Sequence, residues 1–191
     1  MRSHQVSSPN VRESLDYGRP NACNLCHLDQ TLSWTANTLQ AWYQQPIPEL
    51  PEDDKTISAA VQWLVKGDAG QRALLAWGMG WEPAQKTSGR DWLYPFLTYS
   101  LLDPYAAVRF DAWKSLQNLP GFAAFEFNYT AETDELGAAV RRGYQEWWDE
   151  QRPANPNFDP KTVLDPEGHF QEDVIDRLRR ERDEKPIMLA E

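Results

Sequence analysis

The segment from Asp103 to Trp113 reads D-P-Y-A-A-V-R-F-D-A-W, and an earlier segment from Asp68 to Trp77 reads D-A-G-Q-R-A-L-L-A-W. Both begin with an aspartate, contain an arginine and end in Ala-Trp, and they lie 35 to 36 residues apart. Repeats of about this length are typical of stacked helical hairpins, in which each unit buries its apolar face against the next. The spacing from aspartate to arginine differs, at four residues in one copy and six in the other. The repeat therefore predicts two related helical hairpins in the middle of the chain.

Apolar residues at helical spacing predict further helices on both sides of this repeat. One apolar stripe predicts a helix that begins at Asp53 or Asp54 and ends at Gly67. The other predicted helices cover residues 30–44, 69–79, 90–102, 104–118, 132–150 and 168–184. Pro95 is expected in a first turn or at a kink. The last helix is rich in charged residues and is expected to be solvated. The fold class predicted from these patterns is all-α.

The composition is that of a folded, acidic protein. Of the 191 residues, 41% are hydrophobic and 12% are aromatic, which is enough for a sizeable core. Lysine and arginine number 19 against 29 aspartates and glutamates, so the net charge is −10. Because phosphate groups would be repelled, nucleic acid is not an expected partner. No apolar run approaches the roughly 18 residues of a membrane span, so none is expected.

Cys23 and Cys26 are the only cysteines, and His27 follows them in the sequence N-A-C-N-L-C-H. C-x-x-C-H is the attachment pattern of a c-type haem. Two intervening residues place both sulfurs on one turn, where each can add to one vinyl group of the porphyrin. The next residue then projects an imidazole toward the iron as the proximal ligand. The motif predicts one covalent haem c per chain, with His27 as an iron ligand.

Three other interpretations of the cysteines remain open. A thioredoxin-like redox pair would sit in a βαβ unit, and no such alternation is present. A zinc site could use Cys23, Cys26, His4 and His169, although a second closely spaced Cys/His pair is missing. The cysteines could also be two inert, buried thiols.

Few residues are available for the second axial position of the iron. A second ligand is expected unless the iron binds a gas or a peroxide. His4 lies nineteen residues before Cys23 in a polar segment where packing does not explain it, and we favour it as the distal ligand. His169, Met79 and a residue of a partner chain are the alternatives. Trp34 follows the motif in the predicted helix and is a candidate to pack on the porphyrin, the alternative being an ordinary core aromatic.

These observations predict three regions along the chain. Residues 1–50 form a c-type haem-binding segment, an N-terminal arm followed by a helix. Residues 51–130 form a short stack of helical hairpins ending in a strand-like or irregular stretch at 120–130. Residues 131–191 form a C-terminal helical extension that includes a proline-rich linker at 152–166.

The string L-L-D-P-Y-A-A-V-R-F-D-A-W-K-S-L, residues 101–116, resembles a HEAT-type repeat. In that family the aspartate and arginine, here Asp103 and Arg109, commonly hold neighbouring hairpins together, so both are expected to be structural.

The stretches R-S-H-Q-V-S-S-P and G-R-P-N-A-C-N-L-C-H-L-D-Q-T-L-S-W-T precede these hairpins. The combination resembles the C-terminal part of bacterial multihaem c-type cytochromes with HEAT-like repeats, and it covers roughly residues 2–130.

The resemblance implies a periplasmic or exported electron-transfer protein. In such proteins further C-x-x-C-H motifs usually precede the R-S-H segment, and here they are absent. We therefore expect a truncated chain or one part of a split cytochrome, whose signal peptide is not in this numbering. The family commonly ligates iron with two histidines, which supports His4. The expected partner is a redox protein, including other multihaem cytochrome subunits, and the acidic surface favours a basic one.

Two functions of other classes remain as alternatives. A haem enzyme, such as a peroxidase or a reductase, would need an open distal side with an acid–base group over the iron. The sequence contains no local constellation of that kind, so an electron carrier is favoured over an enzyme. A haem-free interaction module would bind zinc through its cysteines and a protein through its hairpins.

Overall fold

The computed structural model describes residues 8–185, and it is 59% helical with no strand in this range. His4 lies outside the described residues. The ten α-helices of this range are α1 Val11–Tyr17, α2 Leu32–Tyr43, α3 Glu52–Thr56, α4 Ala59–Lys66, α5 Ala69–Met79, α6 Glu82–Ser88, α7 Leu93–Ser100, α8 Ala106–Gln117, α9 Thr133–Glu146 and α10 Glu172–Arg180. Short 3-10 turns lie at Ala22–Leu25 and Pro160–Thr162, and a π-helical turn at Trp147–Gln151 extends α9. The predicted all-α fold class is confirmed.

The helix predicted from Asp53 or Asp54 to Gly67 is wrong at its start. The chain forms two helices there, because Ile57 is extended and Ser58 begins a new helix. The hydroxyl of Ser58 accepts a hydrogen bond from the amide of Val61 at 3.2 Å, as an N-cap does. Its end at Gly67 is as predicted.

The repeated segments form the second helices of two neighbouring hairpins, α4–α5 and α7–α8, and α5 packs along α8. Arg72 of α5 and Asp103, before α8, form a buried ion pair between the hairpins. Their side chains are 0% and 4% exposed. The guanidinium donates from Nε to Oδ2 at 2.7 Å and from Nη2 to Oδ1 at 3.2 Å. Arg109 donates to main-chain carbonyls of Tyr129 and Asp103, both at 2.7 Å. Asp103 and Arg109 thus have structural contacts, as expected.

One large apolar core runs from the hairpins into the C-terminal part of the chain. It includes Phe96 and Leu101 of the hairpin region together with Trp147 of the π-helical turn. Ile175 and Leu178 of α10 are also buried in it, so the expectation of a fully solvated last helix is wrong. That helix is charged on one face, and its two buried apolar residues, Ile175 and Leu178, lie three positions apart on the other, beside the partly buried Val174.

A smaller apolar cluster supports the N-terminal region. It consists of Val11, Leu32, Ala36, Leu39, Leu50 and Ala59. Trp63 of α4 packs against this cluster and against the large core, so α4 lies between the two clusters and contacts both.

Helix α6 was not predicted, since its sequence E-P-A-Q-K-T-S has no apolar stripe. No helix within residues 8–185 has both the length and the apolar character that a membrane span needs.

Candidate functional site

The cysteine pair lies in one tight turn between α1 and α2. The 3-10 helix Ala22–Leu25 carries Cys23, and Cys26 ends it. The carbonyl of Cys23 accepts hydrogen bonds from the amides of Cys26 at 3.2 Å and His27 at 2.9 Å. The side chain of Asn21 begins the turn, since its oxygen accepts from the amide of Cys23 at 3.1 Å. The structure therefore brings both cysteines and the histidine into a single turn, as their spacing predicts.

Asn24, the first residue between the two cysteines, anchors this turn to α2. Its side chain is fully buried. The amide nitrogen donates to the carbonyl of Gln30 at 3.0 Å and to that of Thr31 at 3.5 Å. The amide oxygen accepts from the hydroxyl of Thr35 at 2.7 Å. The side-chain polar atoms of Asn24 thus all bond within the protein, whereas Cys23 and Cys26 on either side of it are half-buried.

A second set of contacts fixes the end of the turn against α4. The side chain of Leu28 is fully buried in the large core. The hydroxyl of Ser58 donates to the carbonyl of Leu28 at 2.6 Å, and the amide of Ala59 donates to the carbonyl of Gln30 at 3.0 Å. The turn is thus held on one side by α2 and on the other by α4.

The thiols of Cys23 and Cys26 are free and half-buried. Burial raises the pKa of the Cys23 thiol, and the neighbouring Cys26 raises it further against one opposing backbone hydrogen bond. Reactive cysteines of the thioredoxin type have a lowered pKa instead. Residues 8–185 also contain no strand from which a βαβ unit could be built. Both observations weigh against the thioredoxin-like interpretation.

Trp34 lies next to the imidazole of His27. Their ring centroids are 4.7 Å apart and the ring planes are tilted by 43°. Trp34 is in the first turn of α2, where its amide donates to the hydroxyl of the N-cap Thr31 at 3.0 Å. Both rings are half-buried. Trp34 is therefore part of the site through its contact with His27.

The predicted candidates for a second ligand lie elsewhere or outside the described residues. His4, our favoured distal ligand, is among the residues that are not described. The exposed His169 contacts the carboxylate of Asp165 at 3.2 Å and the ring of Trp148 at 4.5 Å. Met79 is fully buried in the large core, where its thioether is surrounded by apolar side chains.

The cysteine turn presents the donor set that a covalently attached haem would use. Within residues 8–185, no group of three or more His, Cys, Asp and Glu side chains is arranged to hold a metal ion. A zinc site needs four such donors in one place. A c-type haem needs from this motif two thiols and one imidazole on one turn, and Cys23, Cys26 and His27 provide that set.

The two asparagines of the motif region, Asn21 and Asn24, were not predicted to matter. One begins the turn and the other anchors it. The available signal was their residue type, because asparagine side chains commonly bond to nearby main chain in turns. The sequence could not indicate that the partners of Asn24 would come from α2.

The surroundings of the site are acidic. Residues 8–56 contain seven acidic and three basic side chains, which gives a net charge of −4. The C-terminal end of α2 also exposes two aromatic side chains, Trp42 at 70% and Tyr43 at 68%.

No protein-family model, curated protein or solved structure matches this chain.

Proposed function

We propose that this protein is a c-type cytochrome that transfers electrons through one covalently attached haem. The observation that supports it is the single turn in which Cys23, Cys26 and His27 lie together, half-buried and with free thiols. Asn24 holds the opposite face of the turn in the protein interior, which keeps the three donors at the surface. A turn that is anchored on its buried side is a suitable attachment point for a group that must not move during electron transfer.

In this proposal Cys23 and Cys26 attach the haem. The sulfur of each forms a C–S bond to one vinyl group, and the thiol proton goes to the adjacent vinyl carbon. Each addition therefore conserves electrons and requires no oxidant. When bound, the haem iron supplies a centre that accepts and releases one electron. The protein contributes binding, orientation and the electrostatic surroundings.

His27 is proposed as the proximal ligand, and Trp34 as the residue that limits its rotation. The tilted ring of Trp34 lies against one side of the imidazole at 4.7 Å between centroids. The N-cap bond from Trp34 to Thr31 fixes the start of α2 at this point. His4 remains our proposed distal ligand.

The hairpins α4–α5 and α7–α8 are proposed as a HEAT-like scaffold behind the haem segment. Two observations support this role: α4 contacts both apolar clusters, and the Arg72–Asp103 pair joins the hairpins. The net charge of −4 around the motif favours a basic redox partner through weak, salt-sensitive association. We place the protein in the periplasm or among exported proteins, where haem c is attached, with other multihaem cytochrome subunits among its candidate partners.

The experiment that tests this proposal is expression in the periplasm together with the haem-attachment machinery. A denaturing gel stained for covalent haem should show a band at the mass of the chain, 22.0 kDa plus one haem. Cys23→Ala/Cys26→Ala should abolish the stain. Absorption spectra of the oxidised and reduced protein should show low-spin iron if both axial positions carry protein ligands.

Two of the three histidines, His4 and His169, provide a matched pair of variants. His4→Ala should convert the iron to high spin, whereas His169→Ala should leave the spectrum unchanged. Loss of low-spin character in His169→Ala instead would move the distal ligand to His169. A high-spin spectrum of the unmodified protein would favour the haem enzyme. Absence of covalent haem in the unmodified protein would overturn the proposal.

A further inference from the structure

An open groove with a volume of about 700 Å³ lies between residues 124–128 and helix α9, away from the cysteine motif. Apolar residues line it, among them Phe125, Phe127 and Ala139. Glu126, Glu135 and Glu146 line it as well. The groove thus combines apolar and acidic residues.

Phe125 and Arg142 hold the two sides of the groove together. The Phe125 ring is buried and packs against Gly143, where an added Cβ would lie 3.2 Å from its Cζ atom. Nη2 of Arg142 donates to the carbonyl of Glu126 at 2.7 Å, and its guanidinium lies 5.1 Å from the Phe125 ring centroid. The only basic side chain that lines the groove therefore binds a main-chain carbonyl and an aromatic ring.

The groove carries an excess of acidic side chains, with three glutamates against one arginine in its lining. Within residues 8–185, none of Glu126, Glu135 and Glu146 forms an ion pair. Burial and the neighbouring charge of Glu150 raise the pKa of Glu146, although Arg142 opposes them. Residues 121–151 carry seven acidic and two basic side chains, so half of the net charge of −10 is concentrated here. A cationic ligand would relieve this repulsion.

The main chain beside the groove offers hydrogen bonds as well. Residues 125–128 are outside any helix or turn. The amides of residues 126–128 and the carbonyl of Phe127 have no hydrogen-bond partner within residues 8–185. Unpaired main chain of this kind can accept an extended peptide, which pairs with it as an added strand.

From these features we propose that the groove binds an extended, basic segment of a partner protein. The main chain of the segment pairs with residues 126–128, its lysine or arginine side chains face Glu135 and Glu146, and its apolar side chains lie on Phe127. Charge complementarity selects the occupant, because the acidic side chains of the groove outnumber its one arginine and form no ion pair within residues 8–185. The proposal does not depend on the haem.

The test uses the full chain and a fluorescein-labelled peptide of alternating lysine and valine, K-V-K-V-K-V-K, with blocked ends. Fluorescence anisotropy should show saturable binding that weakens as salt is added. Glu135→Gln/Glu146→Gln should weaken binding about tenfold, since two partly screened ion pairs together provide about 1.4 kcal/mol. Ala138→Trp, which fills the exposed side of the groove, should weaken binding without changing the net charge.

The matched control is Glu49→Gln/Glu167→Gln, which makes the same change in net charge at two exposed carboxylates outside the groove. This variant should bind the peptide as the unmodified protein does. Equal weakening in both double variants would show that only the overall charge attracts the peptide and would overturn the proposal. So would a lack of saturable binding, or equal binding of the corresponding E-V-E-V-E-V-E peptide. The Cys23→Ala/Cys26→Ala variant should bind normally, which separates this proposal from the one on haem.

Discussion

The cysteine-motif segment, residues 21–35, and the hairpins α4–α8 are stabilised in different ways. The motif segment packs on both apolar clusters, through Leu28 and Leu32, and is positioned by hydrogen bonds from Asn24 and Ser58 to main-chain carbonyls. The hairpins share the large apolar core and are joined by the buried Arg72–Asp103 pair. This difference indicates that the hairpins determine global stability, whereas the motif segment can be disturbed locally, so separate measurements can distinguish the two regions.

Arg72→Met should have the largest effect, because it leaves the carboxylate of Asp103 buried without its partner. Removing one member of a buried ion pair costs about 3–5 kcal/mol. The free energy of unfolding, measured by urea denaturation, should fall by about that amount across the whole molecule. The same measurement on Lys86→Met, which breaks an exposed pair with Glu82, should show little or no loss of stability.

The double variant Arg72→Met/Asp103→Leu sharpens this prediction. It removes both charges from the interior, so it should be more stable than Arg72→Met alone. If the single variant lost no more than the Lys86→Met control, the hairpins would not depend on this pair and the contrast between the two regions would fail.

Asn24→Ala should act on the motif segment alone. It leaves the carbonyl of Gln30 and the hydroxyl of Thr35 without their buried partner, at a cost of about 2 kcal/mol. Hydrogen exchange followed by mass spectrometry should show faster exchange in residues 21–35 and unchanged protection in α5 and α8. The exposed Asn37 on α2 supplies the control, Asn37→Ala, which should leave exchange in both regions unchanged.

A uniform loss of protection in Asn24→Ala, extending into α5 and α8, would contradict this view. It would mean that the motif segment and the hairpins unfold as one cooperative unit. The comparison also bears on the proposed function, because slower haem attachment in this variant is expected if the turn must be formed first.

Local patterns predicted the parts of the structure in which each residue's partners are close in sequence. The limits of α5, Ala69–Met79, coincide with the predicted helix, and Asp68 caps it through reciprocal bonds with Gln71. The cysteine turn was likewise predictable, since all its backbone bonds join residues within four positions. The α3–α4 break was not, because Ser58 bonds to Leu28, thirty residues earlier.

Long-range partners also explain the error on the last helix. The sequence R-L-R-R-E-R-D-E suggests solvation, yet Leu178 is fully buried and Arg177 reaches Asp53, 124 residues away. A sequence pattern shows that one face of α10 is charged but not which element covers the other face. The same limit applies to Asn24, whose residue type was visible while its three partners on and before α2 were not.

The smallest predicted effect concerns two adjacent aspartates that lie where the C-terminal helix meets α3. Hydrogen bonds from Arg177, at 2.8 and 2.9 Å, lower the pKa of Asp53 below its ordinary value of 3.8, and the charge of Lys66 lowers it further. Burial raises the pKa of the neighbouring Asp54 above the same ordinary value. The two residues should therefore make opposite contributions to the pH dependence of stability.

The contribution of Asp53 is fully present above pH 3.8, its ordinary pKa, and is lost as the pH falls through the lower folded-state pKa. Asp53→Asn should thus reduce the free energy of unfolding near neutral pH by about 0.5–1 kcal/mol, since solvent screens the half-exposed Arg177. The charged form of Asp54 instead costs stability above its raised pKa, so Asp54→Asn should be neutral or slightly stabilising at neutral pH. Urea denaturation of both variants at pH 7 and near pH 3 provides the measurement. Equal changes in the free energy of unfolding of the two variants at pH 7 would show that net charge alone is responsible, because each substitution removes one negative charge. The hydrogen bonds between Arg177 and Asp53 would then contribute nothing measurable to stability.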